Sequence, residues 1–422
     1  MRAIFVNHCH PDCPHVCGTR AREFAHALAR QGHRIILLTE TLHRSDPAPD
    51  PDALSVALAS HDWTAPFYLA VRPRAAPVLQ VLRAGRLPAT LRAAIVAFQY
   101  IVRGGMFTDW RDASRAYWQQ LADAFRPEVV WGIFGNTDAW AIAQGIARAA
   151  GCPWVRDLKD QWTAFIPTPF RAHLSWRYGD ASAVTALSAA NAGDAQPWFP
   201  GAASIIYSGL PASLPASRGR VGNASLSLTL VGAVYEAAHL KTLVDGLRQF
   251  CADSGRLRPA LTYVGTDTNA VEKATATLLG LVDVDIRGQL PFAEYWAAIC
   301  AADLNIYIRI NKTGWWHHKI VELLGARRPI LCIPGEIEEA RLLAQHAGGH
   351  LVGAGDAVAV AGALEAAWRV RALEPQAKRE PVPRDLTWDA RADKLAAILS
   401  ATSAVSQSWA GHESSNGRDV RS

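Results

Sequence analysis

Short apolar runs alternate along this chain with longer segments whose apolar positions recur every three or four residues. The short runs are typical of buried strands, and the longer segments are typical of helices that bury one face. The strands predicted in the first half are Ala3–Val6, Arg34–Thr39, Val129–Phe134, Pro153–Asp157, Ala183–Ser188 and Ser204–Tyr207. Those predicted in the second half are Ser227–Gly232, Leu261–Gly265, Val284–Gly288, Leu304–Ile308, Pro329–Ile333 and His350–Val352. Strands that alternate with helices predict an α/β fold with parallel sheets.

The alternation restarts near the middle of the chain, after a polar stretch. It predicts two doubly wound, Rossmann-like domains, 1–210 and 226–400, joined by a linker over 211–225 and facing a central cleft. Residues 40–128 are rich in proline and are predicted to form an insertion in the first domain rather than part of its sheet. Residues 401–422 are polar and rich in serine, and are predicted to form a disordered tail.

Composition narrows the class of protein. A chain of 422 residues with 50% hydrophobic residues suits two cores of about 200 residues each. The net charge of +5 is mild and no long Lys/Arg run precedes the tail, so nucleic acid is not an expected partner. The first residues do not resemble a secretory leader and no apolar run is long enough to span a bilayer, so neither a leader nor a membrane span is expected. The seven cysteines are interpreted as reduced thiols. We therefore expect a cytoplasmic protein.

The segment 304–333 carries the strongest indication of chemistry. A strand ends near Ile308, and a loop that begins with Arg309 leads into a predicted helix. Lys319 and Glu322 lie three positions apart and therefore share one face near the start of that helix. A helix amino terminus with a lysine favours a diphosphate, and a carboxylate one turn later can accept hydrogen bonds from ribose hydroxyls. The alternative is a solvated ion pair between the two side chains.

The loop after the first strand offers a second candidate site. Gly18 stands at a strand-to-helix turn, where a ligand anion can approach the backbone. Histidines and cysteines crowd the same loop, at His8, Cys9, His10, Cys13, His15 and Cys17. They lack the paired spacing of structural zinc sites, so no metal site is predicted. The preferred interpretation is a polar loop in which His8 or His10 contacts an acceptor substrate.

Two further segments are candidates for substrate or surface binding. Asp157 and Asp160, in VRDLKDQW, follow a strand and are candidates for orienting an acceptor or for acid–base work, with helix capping as the alternative. Residues 82–103 carry an apolar helical stripe ringed by arginines, namely Leu91, Ile95, Phe98 and Val102 with Arg83, Arg86, Arg92 and Arg103. Such a helix suits an anionic membrane surface, and the alternative is an ordinary core-facing helix.

The segment KIVELLGARRPIL resembles the signature K-x-x-E-x-x-x-x-x-[KR]-P-[IV] of glycosyltransferase family 4. The resemblance covers about 1–40 and 125–400. Seven further segments resemble the family in its order: GTRAREFAHALARQGHRIILLT, VRDLKDQW, ALSAAN, IIYSGLP, LVGAVYEAAHLKTL, VDIRGQLPFAEYWAAICAADLNIYI and LTWDARADKL.

The resemblance implies a GT-B fold and a retaining, hexosyltransferase-type enzyme that uses a nucleotide-diphosphate sugar without a cofactor or an obligatory metal. It implies that Gly18 approaches the donor phosphates, that Gly232 faces the nucleotide and that Lys241 is a basic residue of the donor site. Lys319 then contacts phosphate and Glu322 binds the ribose.

The expected mechanism stabilises the departing diphosphate with Lys319, while Arg309 and Asp157 are further catalytic candidates. The chain departs from the family at Gly314, where a glutamate that contacts the donor sugar is common.

The expected function is transfer of a sugar to an acceptor hydroxyl, in polysaccharide, glycolipid or glycoconjugate synthesis. The acceptor is a carbohydrate or a lipid-linked molecule, and the enzyme acts in the cytoplasm or peripherally on the inner face of the membrane. Two alternatives stay open. One is a nucleotide-sugar epimerase of similar shape, with Asp157 and Asp160 as its acid and base. The other is a non-catalytic GT-B partner subunit, for which Gly314 is the only support.

Overall fold

The computed structural model describes residues 1–13, 16–42, 48–211, 213–215, 225–252, 258–309, 319–373 and 383–416. The chain divides into two compact units, each with its own sheet and core. The first unit comprises Met1–Ser208 with Trp388–Ser422, and the second comprises Gly209–Thr387. The division after Ser208 lies close to the predicted linker over 211–225, most of which falls outside the described residues.

The first unit is built on a seven-stranded parallel sheet with the order β3-β2-β1-β4-β5-β6-β7. Its strands are β1 Arg2–Val6, β2 Arg34–Glu40, β3 Phe67–Val71, β4 Val129–Ile133, β5 Trp154–Leu158, β6 Ala183–Ala186 and β7 Ser204–Ile205. The central strands are buried on both faces, which explains why they are continuous apolar runs instead of alternating ones. The predicted parallel α/β architecture is confirmed.

Helices connect these strands. They are α1 Val16–Arg30, α2 Leu54–Ser60, α3 Pro77–Arg83, α4 Ala89–Phe98, α5 Thr108–Gln120, α6 Thr137–Ala150, α7 Trp162–Phe165, α8 Arg171–Arg177 and α9 Ala189–Ala195. Two of them run on into π-helical turns, α4 at Gln99–Arg103 and α5 at Leu121–Phe125. Single 3₁₀ turns occur at Pro51–Ala53 and Thr168–Phe170.

The second unit has a six-stranded parallel sheet with the order β10-β9-β8-β11-β12-β13. Its strands are β8 Ser227–Val231, β9 Ala260–Val264, β10 Asp283–Arg287, β11 Leu304–Ile308, β12 Ile330–Ile333 and β13 Leu351–Gly353. Its helices are α10 Ala237–Ala252, α11 Thr268–Thr275, α12 Phe292–Ala301, α13 Lys319–Gly325, α14 Glu338–His346 and α15 Ala357–Leu373. Further 3₁₀ turns occur at Ala276–Leu278 and Arg384–Leu386.

Each sheet has one point at which the strand order reverses. It lies between β1 and β4 in the first unit and between β8 and β11 in the second. In open parallel sheets, ligands bind beyond the carboxyl ends of the strands at such switch points. The loops after these four strands are therefore the places to look for function.

The last helix, α16 Trp388–Asn416, belongs to the first unit, so the prediction that residues up to 400 complete the second domain is wrong. Its apolar residues pack on α1 and β4, where the Trp388 ring lies 5.2 Å from that of Phe24. The spacing of these apolar residues predicts that they share one helix face, but it does not predict which of the two hydrophobic cores that face packs against. The helix also runs through 401–416, where the sequence predicted disorder.

The prolines of segment 40–128 suggested an insertion outside the sheet, and that prediction is wrong. Phe67–Val71 forms β3 and pairs in parallel with β2 at the edge of the sheet. Thr108–Gln120 forms α5, whose Trp110 is fully buried in the core of the first unit. The prolines lie between these elements and hid them from the pattern, because Pro66 and Pro73 bracket a strand of only five residues.

Candidate functional site

The turn that follows β8 is closed by Gly232. Its φ of +95° lies in the region that favours glycine. A Cβ on Gly232 would come 2.7 Å from the Nζ of Lys319, so the missing side chain lets this ammonium lie against the backbone. Tyr263 donates a 2.8 Å hydrogen bond to the Gly232 carbonyl, and the Asp267 backbone N–H donates a 3.0 Å bond to the Tyr263 hydroxyl oxygen. The turn is therefore fixed before any ligand arrives.

Lys319 lies on α13 and follows β11 in the chain. Burial lowers the pKa of its ammonium, and the nearby Glu322 carboxylate opposes that shift. Among the described residues no carboxylate lies within 4.0 Å of the ammonium, so the two side chains do not form the tight surface ion pair that was the alternative. A partly desolvated cation at a switch point is a good site for an anion.

Glu322 lies one turn along α13 and is half-buried. Tyr295, on α12, donates a 2.9 Å hydrogen bond to its Oε2. Burial raises the pKa of Glu322, while the Tyr295 hydrogen bond and the Lys319 charge lower it. Tyr295 thus orients the carboxylate. The sequence gives no signal for Tyr295, because its partner lies 27 positions away and no spacing rule connects α12 to α13.

Arg309 follows β11 at the same edge of the sheet. Its backbone N–H donates a 2.8 Å hydrogen bond to the Ile333 carbonyl, while its Nε is buried without a hydrogen-bond partner in the described part of the chain. Burial raises the pKa of the neighbouring Cys332 thiol to about 12, against the effect of the Arg309 charge. Gly314, where the family often has a glutamate, lies outside the described residues.

Lys241 does not join this group, although the resemblance implied a role in donor binding. Its side chain is 74% exposed on α10 and forms an ion pair with Asp245 one turn later. The opposite face of α10, with Leu240, Leu243 and Val244, packs into the core. The amphipathic pattern of the helix therefore directs Lys241 to solvent.

In the first unit, the loop after β1 folds back on itself around a buried asparagine. Asn7 donates hydrogen bonds to the backbone carbonyls of Cys9 (2.9 Å) and Cys17 (3.1 Å), and its Oδ1 accepts a 3.3 Å bond from the Cys17 thiol. Gly18 is part of the same packing, because a Cβ there would lie 2.4 Å from the His10 carbonyl oxygen. The missing side chain at Gly18 thus lets this loop pack closely on α1, and the role of Gly18 at the donor phosphates stays a prediction.

The two histidines of this loop differ in environment. His10 is buried, its Nδ1 accepts a 3.2 Å hydrogen bond from the Asp12 N–H, and burial lowers its pKa despite the Asp12 charge. His8 is half-buried and lies 5.5 Å from Phe107, ring centre to ring centre. It also lies against Gly135, where a Cβ would come 2.5 Å from the His8 Cε1. Of these two histidines, His8 is the more accessible.

Asp157 is fully buried and has structural partners. Its Oδ1 pairs with Arg20 at 3.3 Å and accepts a 2.7 Å hydrogen bond from Thr185. Arg20 also donates a 3.0 Å bond to the Ile206 carbonyl, so it ties α1, β5, β6 and the chain after β7 together. Burial raises the pKa of Asp157 against the effect of Arg20. A carboxylate without solvent access does not contact substrate, so the catalytic assignment of Asp157 is corrected to a structural one.

Asp160 is half-buried and pairs at 2.6 Å with Lys159, whose ammonium is buried beside the Cys17 thiol. Burial lowers the pKa of Lys159, and the Cys17 and Asp160 neighbours outweigh it, so the net shift is upward. Lys159 was not among the predicted site residues. The only sequence signal for it was its place directly after β5, between the two predicted aspartates.

Three of the four apolar residues of the predicted stripe face outward, which is not the pattern of a core-facing helix. Leu91, Phe98 and Val102 are 48%, 52% and 56% exposed, whereas Ile95 is half-buried, and α4 has no fully buried residue. Two of the surrounding arginines are already paired, Arg83 with Asp109 at 2.5 Å and Arg103 with Asp112. Within the described part of the chain, no helix has the length and apolar character needed to cross a membrane.

No family model matches the sequence, and no curated protein matches it. Solved structures do match its fold. HepE from Anabaena, in complex with UDP and glucose, aligns over 98% of this chain and 100% of its own, with a TM-score of 0.54 at 15% identity. A glycosyltransferase from Rickettsia africae aligns over 95% and 98%, with a TM-score of 0.59 at 12% identity. UDP-GlcNAc 2-epimerase from Methanocaldococcus jannaschii aligns over 95% and 100%, with a TM-score of 0.51 at 10% identity. At these identities the likeness shows the fold alone: two parallel-sheet α/β domains of the GT-B type.

Proposed function

We propose that this protein is a glycosyltransferase that takes a sugar from a nucleotide-diphosphate donor and transfers it to an acceptor hydroxyl. The observation that carries the proposal is the Lys319 ammonium lying against the Gly232 turn, with the Glu322 carboxylate one helical turn away. These are the residues that the resemblance to glycosyltransferase family 4 assigns to the donor. A similar fold binds such donors, since HepE was solved both with UDP and glucose and with UDP-glucose.

In this proposal the diphosphate lies on the Gly232 turn. The glycine lets phosphate oxygens approach the backbone, and Lys319 supplies a cation that is already partly desolvated. The nucleoside then extends toward Glu322, whose carboxylate accepts hydrogen bonds from both ribose hydroxyls. Tyr295 holds that carboxylate in a single orientation, which reduces the entropy lost on binding.

For the chemical step, charge develops on the departing diphosphate as the bond to the sugar breaks. Lys319, with Arg309 as the second cation, stabilises that charge, so the step has no need of a divalent metal at the phosphates. Retention of the anomeric configuration is carried over from the family and belongs to the same proposal. The acceptor belongs with the first unit, where His8 and Asp160 are the accessible candidates.

The epimerase alternative has the same fold and a nucleotide-sugar substrate, as the archaeal 2-epimerase illustrates. An epimerase needs an acid and a base that reach the sugar. Asp157 was proposed as one of the two, but it is fully buried and cannot reach a substrate. Incubation of the enzyme with donor alone separates the two functions, because an epimerase interconverts nucleotide sugars without an acceptor. A non-catalytic partner subunit would bind the donor and never turn it over.

The donor site is tested by Glu322→Ala. We expect the dissociation constant for UDP or GDP to rise by about 5-fold to 150-fold, which corresponds to roughly 1–3 kcal/mol for the loss of a charged hydrogen-bond acceptor. Calorimetric titration of the purified protein measures it. Tyr295→Phe should weaken binding less, because the carboxylate remains. Glu294→Ala, an exposed neighbour on α12, is the matched control. Unchanged affinity in Glu322→Ala would reject the ribose assignment.

We further propose that the enzyme acts peripherally on an anionic membrane, where lipid-linked acceptors reside. The exposed stripe on α4 supports this, together with Trp176, which is 80% exposed on α8. The two elements are joined by a 2.9 Å hydrogen bond between His173 and the Ile101 carbonyl. Tryptophan and apolar side chains of this kind enter the interfacial region of a bilayer, and nearby arginines attract anionic headgroups.

The membrane proposal predicts sedimentation with phosphatidylserine vesicles at low salt and release at high salt, because salt screens the attraction. Phe98→Ser with Trp176→Ser should abolish sedimentation. Arg86→Glu with Arg92→Glu should do so too, since these two arginines have no carboxylate partner among the described residues. Leu279→Ser, at a residue 91% exposed in the second unit, is the control. If all variants sediment alike, the stripe does not bind membranes.

A further inference from the structure

We infer that the loop after β1 holds a soft divalent cation of the zinc class, ligated by His8, Cys9 and Cys17. A ligand atom of each of these three side chains lies within 4.8 Å of the other two. No other cluster of this kind occurs in the described part of the chain. The inference concerns the first unit only and does not depend on the proposed donor site. It assigns His8 to the metal instead of to the acceptor, which leaves Asp160 as the acceptor candidate.

The separations are compatible with one ion. Zn–S bonds of about 2.3 Å and Zn–N bonds of about 2.0–2.1 Å in a tetrahedron separate neighbouring ligand atoms by about 3.5–3.8 Å. The observed limit of 4.8 Å therefore requires movements of about 1 Å at most, which side-chain rotation supplies. Thiolate and imidazole are the ligands that zinc prefers.

Cys13, in the same loop, is the candidate for a fourth ligand. It lies outside the group of three whose ligand atoms are within 4.8 Å of one another, so its side chain has to move to complete the set. With Cys13 included, the set becomes three thiolates and one imidazole, which is a common composition of structural zinc sites. With Cys13 as the fourth ligand the coordination sphere would be closed, and the ion would stabilise the loop without taking part in chemistry.

Neighbouring residues hold the three ligand side chains in position. Asn7 holds the backbone on both sides of the site by bonding to the carbonyls of Cys9 and Cys17. Gly135 gives His8 the room it occupies, because a Cβ there would come 2.8 Å from its Nδ1 and 3.7 Å from the Cys17 Sγ.

The buried Lys159 ammonium lies beside Cys17 and offers a hydrogen bond to a thiolate there. A dication with three thiolates and a neutral imidazole has a net charge of about −1, which a neighbouring cation offsets. Spacing alone gave no reason to expect this arrangement. The three cysteines stand four positions apart, and only the fold of the loop around Asn7 brings two of them to His8.

The test uses the full-length chain, expressed without a polyhistidine tag and purified without chelator. Elemental analysis should find about one zinc per chain. The Cys9→Ser/Cys17→Ser variant should lose it, and a Cys152→Ser/Cys251→Ser variant, changed at cysteines outside the cluster, should keep it. Chelation should lower the melting temperature of the parent, and added zinc should restore it.

If the Cys9→Ser/Cys17→Ser variant does not fold, a measurement on the parent protein tests the metal site instead. Cobalt(II) bound to the zinc-depleted parent should show a thiolate-to-metal charge-transfer band. Three results would overturn the inference: a metal-free parent whose thiols all react with alkylating agent, a parent mass lower by two hydrogens from a disulfide, or zinc retained by the Cys9→Ser/Cys17→Ser variant.

Discussion

Replacing Lys319 by alanine is expected to lower the turnover of sugar transfer by about 100-fold or more, while donor affinity falls less. Negative charge grows on the diphosphate only as the sugar departs, so a fixed cation stabilises the transition state more than the bound donor. The Lys319 ammonium lies close to the Gly232 turn, since a Cβ on that glycine would come 2.7 Å from the Lys319 Nζ. Lys319→Arg should therefore restore activity only in part, since a planar guanidinium distributes its charge differently.

The measurement combines steady-state kinetics with separate calorimetric titration of the donor. Lys273→Ala, an exposed lysine of α11, serves as the control and should behave like the parent. Turnover should be the same with and without added Mg²⁺. Equal losses in affinity and in rate per bound donor would make Lys319 a binding residue only, and a strict requirement for Mg²⁺ would contradict the metal-free step.

Asp157→Ala is expected to destabilise the first unit by about 3–5 kcal/mol, because it leaves the Arg20 guanidinium buried without its carboxylate. Arg20 is 1% exposed, so solvent cannot replace the lost partner. Replacing both residues by apolar ones, as in Arg20→Met/Asp157→Leu, should cost less than the single change, since no uncompensated charge remains.

Chemical denaturation followed by tryptophan fluorescence measures the effect, with Asp52→Ala, an exposed aspartate, as the control. The catalytic interpretation of Asp157 makes the opposite forecast. If the variant keeps the stability of the parent and loses only turnover, Asp157 acts in the reaction and our structural assignment is wrong.

The architecture was accessible from the sequence because fully buried parallel strands are apolar along their whole length. Strands such as Val129–Ile133 are recognisable without their neighbours. β3 was missed because it is short, lies at the sheet edge and is enclosed by prolines. The helix α16 was assigned to the wrong unit, since an apolar face is equally suited to either core until the chain is folded.

The residues of the candidate site also fall into two groups, those that local sequence segments predict and those that they do not. Gly232, Lys319 and Glu322 were identified through local segments that resemble a family, and the structure brings the first two into contact. Contacts between elements distant in sequence were not accessible: Tyr295 with Glu322, and Arg20 with Asp157. A buried carboxylate and an accessible one look alike in a sequence, because burial is decided by the packing of elements that the local pattern does not contain.

The position of α16 also bears on how the protein is made. A nascent polypeptide leaves the ribosome amino end first, and domains generally fold as they emerge. Here every residue of the second unit, Gly209–Thr387, is synthesised before Trp388 can cover the face of α1 and β4 that holds Phe24 and Trp131. During that interval the first unit presents aromatic surface to chaperones and to other nascent chains. The second unit has no such delay, because all of its strands and helices are contiguous in the chain.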